Sequence, residues 1–144
     1  MRKGHLLAIG LLGMTSWLAM PGAHAATTNE HADLVGAEEA PNPGPAGAKG
    51  TAAITVDDAA NTVCYQLTYE GITKPTMAHI HTGAKGVAGP VAVNLDIAKN
   101  GDKGCVPADA TVLASIRDDP AGHYVNIHTA EFPKGAMRGQ LTKV

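Results

Sequence analysis

Thr62-Val63-Cys64-Tyr65-Gln66-Leu67-Thr68-Tyr69 alternates without a break: Val63, Tyr65, Leu67 and Tyr69 fall on one side, polar or small residues on the other. A period of two marks a half-buried β-strand, because successive side chains leave the backbone on opposite faces. The segment before it repeats the pattern, with Ala52, Ile54 and Val56 on one face of 50–56 and residues 57–61 turning the chain between the two strands. Working outward, the same alternation predicts strands over 34–38, 76–82, 91–97, 124–129 and 137–141. Three prolines in Pro41-Asn42-Pro43-Gly44-Pro45 make a stiff surface loop. Val112, Leu113 and Ile116 fit a 3.6-residue period and predict a short helix over 110–117, stopped by Asp118-Asp119-Pro120. The chain therefore reads as all-β, an antiparallel Greek-key β-sandwich of about seven short strands with one short helix.

The N-terminus reads differently. Arg2 and Lys3 precede an apolar run over 6–20, Pro21-Gly22 breaks it, and Ala23-His24-Ala25 supplies the small residues of a cleavage site. That is the pattern of a secretory signal peptide over 1–25, too short and wrongly flanked for a stable membrane span. The expected location is the periplasm or the extracellular medium. Cleavage after Ala25 leaves 119 of the 144 residues, with nine basic against 13 acidic side chains and a charge of about −4. Residues 26–32 read as a polar, flexible lead-in and 33–144 as one domain. No second long apolar run follows, and no basic stretch suits a nucleic-acid backbone. The Gly-rich segment 83–90 lacks the Lys-Ser/Thr ending of a phosphate cradle. Cys64 and Cys105 form an even pair, which in an oxidising compartment reads as one disulfide. A thiolate metal site is the competing reading, weakened by the long spacing and the lack of a C-x-x-C pair.

Five histidines follow the leader: His31, His79, His81, His123 and His128. Strand parity sorts them. His79 and His81 share a face opposite Ile80, and His128 lies opposite Val125 and Ile127, so all three are expected on outer faces with Arg138 and Gln140. Ile80-His81-Thr82 recurs as Ile127-His128-Thr129, each followed by Lys-Gly, so on neighbouring strands His81 and His128 are expected at matching heights. Three imidazoles within reach of one ion form a nitrogen donor set suited to copper or zinc. The alternative is that the two outward histidines of H-x-H are surface residues hydrogen-bonded to loops. His123 has core parity and ranks lower as a ligand. Met77 shares parity with His79 and His81, and its thioether would favour copper(I), although core filling or rim packing suits it better. Arg138 is a candidate guide for anions, or a partner for a carboxylate such as Glu131. His31 lies in the lead-in and has no assigned role.

At these residues the chain resembles the CHRD family, named for repeats in chordin and found in bacterial exported proteins. The resemblance rests on Leu34-Val35-Gly36-Ala37-Glu38-Glu39-Ala40-Pro41 and on Ala78-His79-Ile80-His81-Thr82-Gly83 with Gly86 and Gly89-Pro90. It rests above all on Tyr124-Val125-Asn126-Ile127-His128-Thr129 with Phe132-Pro133, Gly135 and Arg138-Gly139-Gln140-Leu141, and on the positions of Cys64 and Cys105. It implies a β-sandwich and leaves the activity open. A looser similarity links H-x-H, the later V-x-I-H and the C-terminal arginine to the copper half of copper/zinc superoxide dismutase. No histidine occurs between Thr82 and Gly122, so the bridging histidine and zinc cluster of that enzyme have no counterpart.

Three functions compete: a metal-binding module, copper favoured, through His79, His81 and His128; an interaction module for a protein or envelope component, using loops 83–90 and 130–136; and a redox enzyme on the same metal. No Ser/His/Asp set or carboxylate pair supports hydrolysis.

Overall fold

The computed structural model describes residues 26–144, and the leader assigned to 1–25 lies outside the described residues. The strands are β1 (Thr27–Val35), β2 (Lys49–Asp57), β3 (Thr62–Glu70), β4 (Pro75–Thr82), β5 (Val91–Asn94), β6 (Lys103–Pro107), β7 (His123–Thr129), β8 (Met137–Gln140) and β9 (Thr142–Lys143). Two short helices, α1 (Ile97–Asn100) and α2 (Ala110–Asp118), interrupt them. All ladders are antiparallel, and one sheet runs β5-β4-β7-β8-β1-β2-β3-β6 with β9 beside β1. The fold is all-β.

The hairpin of β2 and β3 pairs residue for residue from Lys49↔Glu70 to Asp57↔Thr62. Ala52, Ile54 and Val56 meet Val63, Tyr65 and Leu67 on the buried face, while Thr51 and Thr68 hydrogen-bond at 2.7 Å on the exposed one. Ala78 and Ile80 from β4 and Val125 and Ile127 from β7 belong to the same apolar cluster, so the two halves of the curved sheet face each other across one core. Leu113 and Ile116 of α2 join that cluster. Burying such side chains stabilises the fold by about 1.5–3 kcal/mol each. Cys64 and Cys105 form a disulfide between facing positions of β3 and β6.

Several expectations change. Residues 27–32 are not a flexible lead-in: they form most of β1, paired with β2 along its whole length. Their polar composition hid the strand, because Thr27, Asn29 and Asp33 face solvent while Glu30 takes an inward position beside Ala32 and Leu34. His31 is therefore held on a strand, where Nε2 meets Asp33 Oδ1 at 3.1 Å. The strand expected over 34–38 stops at Val35 and gives way to a single 3₁₀ turn. The strand expected over 91–97 ends at Asn94, and Ile97 begins α1. Strands β6 and β9 were not expected. Each is short, and β6 buries just one side chain, Val106, so neither carries a readable alternation.

Candidate metal centre

The β4–β7–β8 ladder sets out its outer face as a grid. Facing residues form the rows Met77–His128, His79–Asn126–Arg138 and His81–Tyr124–Gln140. Ile80, Val125 and Ile127 take the other face, in the core, as their parity requires. The antiparallel register does not place His81 opposite His128. His81 faces Tyr124 and His128 faces Met77, which leaves His79 between the two other histidines.

Most of this face is shielded from water. Every residue of β7 is buried, as are His81 and Arg138. Two loops cover it, and the grid itself holds them. Arg138 donates to Val87 O at 2.8 Å and Ala84 O at 2.7 Å, and Gln140 donates to Gly83 O at 3.0 Å. The backbone N–H of Gly89 donates to the Tyr124 hydroxyl at 3.1 Å. The Tyr124 ring lies between the Arg138 guanidinium, 3.4 Å from its centroid, and the His81 imidazole, stacked at 4.8 Å. Arg138 is thus a buried loop anchor and does not fit the anion-guiding role expected of it. The carboxylates whose charge acts on it are Glu39 and Glu38, not Glu131.

His79, His81 and His128 each turn one nitrogen into a common space, and these three atoms lie within 4.8 Å of one another. Backbone carbonyls fix two of the tautomers. His81 Nδ1 donates to Gly89 O at 2.8 Å and His128 Nδ1 to Pro133 O at 3.0 Å, so each Nε2 keeps a lone pair directed inward. A second-sphere bond from the other ring nitrogen is the usual way a ligating imidazole is oriented. His81 Nε2 is buried with no hydrogen-bond partner, which costs about 1–3 kcal/mol for a neutral acceptor. His79 Nδ1 approaches His128 Nε2 at 3.0 Å, so His79 donates there.

Burial, helped by the neighbouring His128 and His81, pushes the His79 pKa down to about 4. Burial also lowers that of His128, against the opposing bond to Pro133. Both are neutral donors at pH 7. Behind them, burial raises the Glu39 carboxyl to about 7, held there against the lowering influence of Arg138, the Ala40 backbone and Asn126. Gly135 makes room for this carboxyl: it has φ +139° and a Cβ there would collide with Glu39.

The remaining candidates lie apart. His123 is buried on the core side, its Nδ1 bonded to Asp119 O at 2.8 Å and its Nε2 to Ser115 Oγ at 3.2 Å. Met77 is exposed at the edge of the grid, across from His128. Sequence reasoning passed over Asn126, Tyr124 and Glu39. Asn126 could have been found, since it shares the parity of His128 two residues away, whereas Glu39 reaches the layer only through a turn and a proline-rich loop.

Comparison with curated proteins and with solved structures found no match. The likeness to the copper half of superoxide dismutase therefore stays a pattern in the sequence. The family model described as the CHRD domain matches residues 31–141, which include all three converging histidines and both cysteines. The chain belongs to the CHRD family.

Proposed function

We propose that this protein is an exported metal-binding module whose centre is His79, His81 and His128, with copper favoured and zinc the alternative. One observation carries the reading: three imidazole nitrogens converge in a covered space, two are locked as acceptors by carbonyl bonds, and one of these has no partner at all. Copper and zinc both accept imidazole, and bonds of about 2.0 Å set three such donors roughly 3.5 Å apart, so a shift of about 1 Å in one ring closes the set. The cover over 83–90 excludes bulky substrates from the ion, which favours storage or transfer of the metal over catalysis. Export is supported by the leader-like sequence of 1–25 and by the disulfide, a bond that persists in oxidising compartments.

The test is a competition titration of untagged mature protein with copper(II), copper(I) and zinc(II). Replacing His79, His81 or His128 by alanine should weaken binding at least a hundredfold, and His123→Ala should leave it within about twofold. Equal binding by the three variants and the wild type would remove the metal centre and favour an interaction module working through loops 83–90 and 130–136.

A further inference from the structure

The grid contains a fourth inward-facing group. Asn126 lies on β7 directly across from His79 and two residues before His128, and it is buried. Its Oδ1 is 3.1 Å from His128 Nε2. Because His128 Nδ1 carries its proton to Pro133 O, neither of these atoms brings a hydrogen to the contact. Two buried acceptors face each other, and the nearest proton is the one that His79 Nδ1 directs at His128 Nε2 from 3.0 Å. A cation suits that arrangement better than a lone shared proton.

Glu39 explains why the amide points this way. The Asn126 amide opposes the rise of the Glu39 pKa, and that carboxyl is itself buried with one oxygen, Oε1, without a partner. In its ionised form that carboxyl only accepts, which sets the amide nitrogen toward Glu39 and the oxygen toward the imidazoles. The spacings also fit a shared ion. Two donors each about 2.0–2.1 Å from one ion, at tetrahedral or right angles, are about 2.9–3.4 Å apart. The His79–His128 and Asn126–His128 separations, 3.0 and 3.1 Å, both fall in that range.

We infer that Asn126 Oδ1 is the fourth ligand of the centre, making it a three-nitrogen, one-oxygen site whose amide is oriented by Glu39. The inference rests on the trihistidine reading and extends it. An oxygen donor and four-coordination suit zinc(II) and copper(II), while soft copper(I) gains little from an amide oxygen. The consequence is a difference between ions that a merely structural asparagine would not produce.

The experiment titrates the mature wild type, Asn126→Leu and Glu39→Gln with zinc(II) and with copper(I), each metal alone, and adds His81→Ala as a reference. Asn126→Leu should bind zinc(II) about tenfold more weakly and copper(I) within about twofold of the wild type. Glu39→Gln should show the same selectivity at smaller size, because a glutamine side chain can hold the amide in either orientation. His81→Ala should lose both ions. Equal loss of both ions by Asn126→Leu would mean that it disturbs the histidines and would overturn the ligand role, as would no loss of either. If Asn126→Leu does not fold, the side-chain amide resonances of Asn126 in the wild type decide: they should shift stoichiometrically with zinc(II), and unchanged resonances would overturn the inference. A wild type that binds neither ion removes the trihistidine centre itself, an outcome distinct from loss of the fourth ligand alone.

Discussion

The two halves of the sheet use the same backbone ladder for opposite ends. In β2 and β3 one face packs into the core and the other meets water, where Thr51–Thr68 and Lys49–Glu70 pair across the strands. In β4, β7 and β8 the second face is roofed by loops, and under the roof lie three imidazoles, an amide, a guanidinium and a phenol. A solvated face tolerates any polar side chain. A covered face requires a partner for each, and there the one imidazole nitrogen left without a partner marks the place built for something else. In the function proposed above, the first half is the scaffold and the second holds the site.

The largest effect should separate the halves. Cys64→Ser removes the cross-link between β3 and β6, which spans 41 residues. The chain-entropy model puts its contribution at up to about 4 kcal/mol. Thermal or denaturant unfolding should show a loss approaching that size, and metal affinity measured below the lowered midpoint should stay within about twofold. A large loss of affinity would show that the halves are coupled.

Next comes pH, which sharpens the contrast through the covered face. Only unprotonated imidazole binds a metal, so affinity falls with pH below the pKa of each ligand. Three ordinary imidazoles of pKa about 6.5 would together cost roughly a thousandfold at pH 5.5. The His79 pKa is already down to about 4, so it still donates there, and burial moves that of His128 in the same direction. Affinity at pH 5.5 should be less than about a hundredfold below that at pH 7.5, by competition titration. The same shift carries a stability sign. Between about 4 and 6.5 the unfolded chain binds a proton at His79 that the folded chain refuses, so stability of the metal-free protein falls as pH drops through that window.

A smaller effect tests the roof. A Cβ at Gly89 would collide with the backbone carbonyl of Thr82, which would displace the Gly89 carbonyl that orients His81. Gly89→Ala should weaken metal binding about tenfold, the low end for loss of a second-sphere partner. Smallest of all, His31→Ala should change neither affinity nor stability measurably, since His31 lies on β1 in a weak, exposed pair with Asp33.

The same contrast explains how far the sequence could be read. Alternation announced β2, β3 and the core face of β4 and β7, because one solvated face leaves a period of two. It placed His79, His81 and His128 opposite Ile80, Val125 and Ile127, as the ladder has them. Parity cannot tell whether the face away from the core is wet, because the cover comes from loops more distant along the chain. That is why all three, and Arg138 with them, were expected at the surface, whereas His81, His128 and Arg138 are buried and His79 is half-buried. Nor does the repeated Ile-His-Thr fix a register: in an antiparallel pair, matching strand ends lie apart, and His79 fills the interval. Residues 27–32 escaped notice for a related reason, since Glu30 takes a place where an apolar residue would have announced the strand.

The most direct test of the centre is X-ray absorption on residues 26–144 loaded with one equivalent of copper(II), compared with His81→Ala. The wild type should bind one ion with three imidazoles in its first shell, recognised by their multiple scattering, and the variant should bind weakly with at most two. Fewer than three imidazoles in the wild type, or an unchanged spectrum in the variant, would contradict a centre built from His79, His81 and His128.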